Sequence, residues 1–307
     1  MNVTLKQLRY FDAALRTGSI AAAATEMHIS QSSITAAIDA VEQSVGGELF
    51  RRVPAKGLTA TESGRLVGAR IAQFLEQSRI FEADLMSVLG DPAGMLHMGC
   101  YAPTAPYVLP RLLKRLSALH PGIRVDLKEG DFEAMVARLQ SGAIDLALTY
   151  RRTVPEGMAF DPLFVARPWA VLAEDSPLAA LASVTLHELA PLPMVLLDLP
   201  TTESYFRKVF ADHDLSPQVV HRTKSSSVLR GLVASGFGYS ILNICGPADR
   251  TGATGYVARP ITGRLDCPEF GVAYSPATRR ASIVEAALSV ARSLAEENAF
   301  DDLMMQP

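Results

Sequence analysis

Hydrophobic positions recur at helical spacing through the first ninety residues and in shorter, strand-like runs after that. Between Gly18 and Gln43 the chain reads GSIAAAATEMHISQSSITAAIDAVEQ, two helical runs parted only by His28, Ile29 and Ser30. Ser19 suits the N-cap of a helix over about Ile20 to Met27, with Ala23, Ala24 and Met27 on its inward face. Ser30 suits the cap of the next, in which Ile34, Ile38, Val41 and Val45 follow at steps of four, three and four. Ala21 to Ala24 are small enough for two short helices to cross steeply, and a helix-turn-helix is predicted. Gly46 and Gly47 end the second helix, and ELF followed by RRVPAKGLTA predicts two short strands about a turn, a wing.

From Thr61, a suitable N-cap, the pattern lengthens. Val67, Ile71, Phe74, Phe81, Leu85 and Val88 fit alternating steps of four and three, with Ser78 at the remaining seam position. Such a seam serves either a helix packed on its own domain or a two-stranded coiled coil pairing two copies of the chain. GDPAG, from Gly90 to Gly94, breaks the helix and predicts a hinge. Beyond it, MLHMGCYA, RVDLKEG, IDLALTY, PMVLLDL, VVHRTK and EFGVAYS read as strands. Helical stretches lie between them near Leu109 to Leu119, Glu133 to Gln140, Glu203 to Ala211, Val228 to Ala234 and Ile283 to Ala295. That alternation predicts parallel sheets covered by helices, with ligands collecting at the carboxyl ends of the strands.

Charge changes the picture only locally. The whole chain of 307 residues carries a formal charge of −3, and the residues up to Gly90 hold nine Lys/Arg against nine Asp/Glu, so no global field favours a polyanion. The wing, however, gathers Arg51, Arg52 and Lys56 without an acid between them. Beside it, Gln31, Ser32, Ser33 and Thr35 open the second helix with short polar groups able to reach base edges, while the basic residues reach phosphates. Double-stranded DNA is the partner this combination fits.

At this point the first 65 residues resemble the LysR-type transcriptional regulators, through LRYFDAALRTGSI, AATEMHISQSSIT, AIDAVEQSVGGELFRR and TATESG in order. The later segments LPRLLKRLSALHPGIRVDLKEG, LQSGAIDLALTY and LVASGFGYSIL are similar to the effector domain of that family. The resemblance implies an α/β protein: a winged helix-turn-helix head over 1–60, a linker and dimerisation helix over 61–90, and a periplasmic-binding-protein-like effector domain over 91–307. One lobe of that domain would take about 95–164 and 268–300, the other 165–267. It also implies a homodimer or homotetramer, an unidentified small-molecule effector, no cofactor, and RNA polymerase as a further partner to consider.

In that fold the strand ends nominate Pro103, Thr104, Tyr150 and Arg151 from the first lobe. Thr201, Thr202 and Ser204 come from the second, at the start of a helix whose free amides favour anions. Phe132 stands where family members commonly place a small hydroxyl residue, which implies a narrower, more apolar cleft. Other departures are Ser32 for proline, Val41 for the leucine of a Leu-Glu pair, Ala60 for leucine, and Asn243 for proline.

Other classes find little support. No apolar run reaches the roughly 18 to 20 residues of a membrane span, and MNVTLKQLRYF lacks a signal-peptide core, so a cytoplasmic protein is expected. There is no Gly-x-Ser-x-Gly, P-loop or His-Glu-x-x-His, and GFGYS lacks the third glycine of a nucleotide loop, so neither an enzyme nor a metal site is expected, and an enzymatic or solute-binding α/β protein stays only as a remote alternative. Cys100, Cys245 and Cys267 form no Cys-x-x-Cys pair, which leaves cysteine-based redox sensing in the same fold as the alternative regulator.

Overall fold

The computed structural model describes residues 3–53, 57–87, 92–276, 278 and 282–304; the side chains of 52, 53, 76, 79, 80 and 83–87 lie outside that description. The chain divides into two compact units, Met1–Leu85 and Met86–Pro307. No helix among the described residues is long and apolar enough to cross a membrane.

The first unit holds α1 (Leu5–Thr17), α2 (Ile20–Glu26), α3 (Gln31–Val45), the antiparallel strands β1 (Phe50–Val53) and β2 (Gly57–Ala60), and all but the last two residues of α4 (Glu62–Ser87). Thr4 and Gln7 close a capping box on α1, and Ser19 and Ser30 accept from the amides of Ala22 and Ser33 to start α2 and α3. The abrupt break between α2 and α3 is made by His28, whose φ of 53° is left-handed, while the Ile29 amide bonds back to the Ala24 carbonyl. Ala23, Ile34, Ala37, Ile38 and Val41 then bury their stripes against Leu8, Phe11 and Ala14 of α1. Val45, expected on the same stripe, is exposed because the helix ends at Gly46 one turn past the core.

Glu42 ties the wing to α3: its Oε1 accepts from the amides of Leu49 and Phe50 at 2.7 and 3.0 Å. The Thr61 hydroxyl accepts from the Gly64 amide and starts α4, which crosses so near the wing that a Cβ at Gly64 would lie 1.9 Å from the Leu49 carbonyl oxygen. Ile71 joins the core of the head, and Val67 and Leu75 pack against it. The start of the long helix is therefore part of the first unit, where the sequence suggested a separate linker from residue 61. Val67 and Ile71 serve their own chain, whereas Phe74 and Phe81 stand 51% and 61% exposed. The Leu85 side chain and Val88 lie outside the described residues, as does Gly90 of the expected hinge.

The second unit has two lobes. Its first builds a five-stranded sheet in the order β4-β3-β5-β13-β6 from β3 (Gly94–Tyr101), β4 (Ile123–Gly130), β5 (Leu146–Tyr150), β6 (Ala159–Val165) and β13 (Glu269–Tyr274). Helices α5 (Ala105–Leu119), α6 (Phe132–Ser141) and α10 (Ser282–Glu296) belong to it. The second lobe has a four-stranded sheet, β11-β7-β12-β8, from β7 (Trp169–Ala173), β8 (Val184–Thr185), β11 (Ser240–Leu242) and β12 (Tyr256–Thr262). Beside it are the parallel pair β9 (Pro193–Leu197) and β10 (Gln218–Thr223), with α7 (Leu186–Leu189), α8 (Thr202–Ala211) and α9 (Ser226–Ala234).

The sheets are mixed, which corrects the expectation of purely parallel ones. β3 runs parallel to β4 and β5, but β13 runs antiparallel to both β5 and β6, and β12 antiparallel to β7. The reason is the double crossover between lobes. β6 leads out to the second lobe and β13 leads back, so neighbours starting and ending at one hinge must point oppositely. The two crossing segments are themselves joined by the Ala166 amide donating to the Pro268 carbonyl at 2.9 Å.

Candidate effector cleft and DNA-binding surface

The cleft is made where strands end. β3 ends in Tyr101, with Pro103 and Thr104 leading into α5; α6 begins with Phe132; β5 ends in Tyr150, and a turn over Arg151–Thr153 brings Arg152. From the other lobe come Leu197 ending β9, Thr202 and Phe206 on α8, and Leu242, Asn243 and Ile244 at the end of β11. This is the carboxyl-end location expected of ligand crevices in α/β folds. Among these lining residues there is one cation and no carboxylate.

Aromatic side chains fill the space. The rings of Tyr101 and Phe132 stack with centroids 3.9 Å apart and planes 10° apart, and Tyr150 meets both edge-on. What remains open between the lobes is about 20 Å³, room for roughly one water molecule. The Tyr101 hydroxyl and the Thr202 Oγ1 hydrogen-bond across the cleft at 2.8 Å, a lobe-to-lobe contact with both residues buried. The Arg152 guanidinium lies 3.7 Å from the centre of the Tyr205 ring across the cleft and 5.4 Å from that of Tyr150 on its own side. Tyr205 is fixed in turn: it donates to the Asp266 carbonyl at 2.8 Å and accepts from Asn243 Nδ2 at 3.1 Å. Burial raises the Tyr205 hydroxyl to a pKa of about 12 and pushes Tyr101 and Tyr150 upward as well, so all three are neutral donors near neutral pH.

Of the residues nominated from sequence, Pro103, Thr104, Phe132, Tyr150 and Thr202 meet in the cleft. Thr104 already donates its proton to the Tyr101 carbonyl at 2.8 Å. Arg151, Thr201 and Ser204 are not among the lining residues. Arg151 turns outward to pair with Glu269 and lies over Phe160, while its neighbour Arg152 takes the cleft position. Thr201 is exposed at a φ of 67° with no side-chain cap bond, and Ser204 Oγ donates back to its carbonyl at 2.9 Å. Adjacent arginines cannot be told apart before the turn that separates them is known, and Tyr101, Leu197 and Phe206 carry no local polar signature.

In the head, Gln31 and Ser32 are exposed at the start of α3, with Ser33 and Thr35 half-buried behind them. Ser30 Oγ lies 2.8 and 2.9 Å from the hydroxyls of Ser32 and Ser33, and Thr35 donates to the Gln31 carbonyl at 3.1 Å. The serine that replaces the family's proline thus joins a local hydroxyl cluster at the helix start. Arg51 is exposed on β1; the Arg52 side chain and Lys56 lie outside the described residues. An apolar groove of about 610 Å³ runs between α1, α3 and α4, lined by residues including Leu8, Val45, Leu66 and Phe74.

The three thiols are unpaired. Burial raises Cys100 to about 12 and moves Cys245 and Cys267 upward too, away from the thiolate that oxidant reactivity needs.

A winged helix-turn-helix unit on the same chain as a two-lobed α/β domain with a cleft at its strand ends defines a transcriptional regulator with an effector domain. Residues 5–65 match the bacterial regulatory helix-turn-helix protein model of the lysR family, and residues 89–296 match the LysR substrate binding domain. The chain belongs to the LysR family of transcriptional regulators. It is 31% identical over 257 residues to the regulator CfxR of Cupriavidus necator, covering 82% of this chain and 80% of that one. It is 30% identical over 250 residues to the RuBisCO operon transcriptional regulator of Allochromatium vinosum, covering 80% of each. Among solved structures, the LysR family regulator HinK of Pseudomonas aeruginosa superposes with a TM-score of 0.61 at 26% identity, over 96% of this chain and 99% of that one. A full-length OxyR variant, also from Pseudomonas aeruginosa, shares the fold with a TM-score of 0.70 at 20% identity, over 95% and 98%.

Proposed function

We propose that the protein acts in the cytoplasm as a homodimer, assembling further to a homotetramer. It reads operator DNA through α3 and resets its DNA geometry when a small molecule enters the cleft, catalysing no reaction of its own. Gln31, Ser32, Ser33 and Thr35 read base edges, and Arg51, Arg52 and Lys56 hold phosphates; RNA polymerase is the partner the bound regulator addresses on the promoter. Self-association uses the exposed Phe74 and Phe81 and continues through Leu85 and Val88. The apolar groove between α1, α3 and α4 gives Phe74 a surface that a second copy would cover.

The observation that carries the effector reading is the Tyr101 to Thr202 bond, made by one buried hydroxyl from each lobe. A ligand that competes for either hydroxyl changes the spacing of the lobes, and a ligand with different affinities for two lobe arrangements shifts their populations. Protection of the DNA beside the protein's own gene, with and without a metabolite extract, is the test. The extract should alter the protected pattern. Arg51→Ala should weaken binding to all sequences and lower the salt slope by about one, whereas Gln31→Ala should cost about 1 to 3 kcal/mol at one base position. Sedimentation of Phe81→Glu should show dissociation; an unchanged mass with full operator affinity would place that helix face elsewhere.

A further inference from the structure

We propose that Arg152 is the charge-reading residue of the effector cleft, and that the effector is a small single-headed carboxylate with an apolar body. The inference rests on the effector reading above and goes on to name the chemistry. A guanidinium that lies against a ring face keeps its N–H groups in its own plane, where a carboxylate is taken bidentately. Arg152 is held in that way against Tyr205, and among the described residues no carboxylate pairs with it. The adjacent Arg151, by contrast, is neutralised by Glu269. The two arginines of one turn therefore differ in the property that matters: one is paired outside the cleft and the other enters it with its donors free.

The walls fix the remainder of the molecule. Phe132, Leu197, Phe206, Leu242 and Ile244 offer no charge, and Asn243 is occupied by Tyr205. A second anionic group would meet only the neutral hydroxyls of Tyr101, Thr104, Tyr150 and Thr202 and no second cation, so its burial would lack charge compensation, which is costly. One cation in an otherwise uncharged wall with a largely apolar second-lobe side, Leu197, Phe206, Leu242 and Ile244, selects one negative head and an apolar body. The body needs more room than the 20 Å³ available. It gains that room by parting the lobes or displacing the Tyr101 and Phe132 stack, and both break the Tyr101 to Thr202 bond. Binding of the right molecule is thereby tied to the lobe spacing.

Three probes with a common phenyl body separate the terms: phenylacetate, its neutral isostere phenylacetamide, and the two-headed phenylsuccinate; hexanoate and phenyl phosphate extend the series. Calorimetric titration of the full chain should show phenylacetate or hexanoate binding at least tenfold tighter than phenylacetamide and tighter than phenylsuccinate, since a hydrogen bond to a charged group is worth about tenfold to a hundredfold. Arg152→Gln should erase the preference for carboxylate over amide, Arg152→Lys should keep part of it, and Arg151→Gln should leave it intact. Equal loss of amide and carboxylate affinity in a folded Arg152→Gln protein would mean that Arg152 only bridges the lobes, and would overturn the proposal. So would tighter binding of phenyl phosphate or phenylsuccinate, or failure of every carboxylate to bind at 10 mM, a ceiling of roughly 3 kcal/mol of affinity. If the carboxylates fail while the extract still alters the DNA protection, the charge assignment falls and the effector reading stands. If the extract also has no effect, the effector reading itself falls.

Discussion

The start of α3 and the interlobe cleft both concentrate hydroxyl groups, yet they assemble them differently. In the head, the Ser30 hydroxyl hydrogen-bonds those of Ser32 and Ser33 within four residues of chain, and it is the same cap that starts the helix. In the cleft, Tyr101 and Thr202 meet from 101 residues apart, and a hinge must be in place before either has a partner. The head therefore presents a surface whose groups are ordered by local geometry. The cleft presents an interior whose contacts exist only in one arrangement of two lobes, which is what a ligand-sensitive element requires.

The largest effect should come from testing whether the two units unfold separately. Phe11 and Phe210 are each fully buried, one in each unit, and truncation of such a ring costs about 3 to 5 kcal/mol. Calorimetry should show Phe11→Ala lowering the transition of the head alone and Phe210→Ala that of the effector domain alone. A single transition shifted by both variants would dissolve the comparison.

Alkaline pH should distinguish the units next. All three cysteines lie beyond residue 85, and Cys100 is raised from an ordinary 9.0 to about 12 by burial. A thiol that is harder to ionise when folded leaves stability intact below pH 9. The unfolded chain then releases its proton first, so stability falls between pH 9 and about 12, by about 4 kcal/mol in all at roughly 1.36 kcal/mol per pH unit. Urea melts at pH 8 and pH 11 should show the effector domain losing more than the head, with a shallower loss in Cys100→Ala.

A smaller change should detach the wing from α3. Glu42→Ala leaves the amides of Leu49 and Phe50 without their acceptor, at a cost of about 2 kcal/mol. DNA affinity should fall with head stability, while titration of the cleft with small molecules is unchanged. Retained affinity would show that the wing is positioned by β-pairing alone.

The smallest expected effect is at the contact that defines the cleft. Thr202→Val keeps the shape but strands the Tyr101 hydroxyl, for roughly 1 kcal/mol, and Tyr101→Phe should cost less when Thr202 is already valine. Stability of the two single variants and the double variant measures the coupling. Additive effects would mean that the lobes are held by other contacts.

The pattern of the chain located α2, α3, the wing, the start of α4 and most strands of the first lobe, because caps, turns and periodicity act within a few residues. It did not show β7, whose Trp169 to Ala173 form a short, wholly apolar run that periodicity alone assigns to neither strand nor helix. It also suggested a single uniform seam along α4, where the structure puts Ile71 in the head and leaves Phe74 and Phe81 exposed. Helical periodicity reports that a face is apolar without reporting what covers it.

By itself the sequence determined the helix-turn-helix with its caps Ser19 and Ser30, the wing, the cap Thr61 of α4 and the polar start of α3. Only the tertiary structure decided that Arg152 and not Arg151 enters the cleft, that Tyr101 reaches Thr202, and that the sheets are mixed. The physical reason is range: a cap is satisfied by an amide three residues away, whereas the direction of a side chain beside a cleft depends on a turn, a crossover and an opposing lobe supplied by distant parts of the chain.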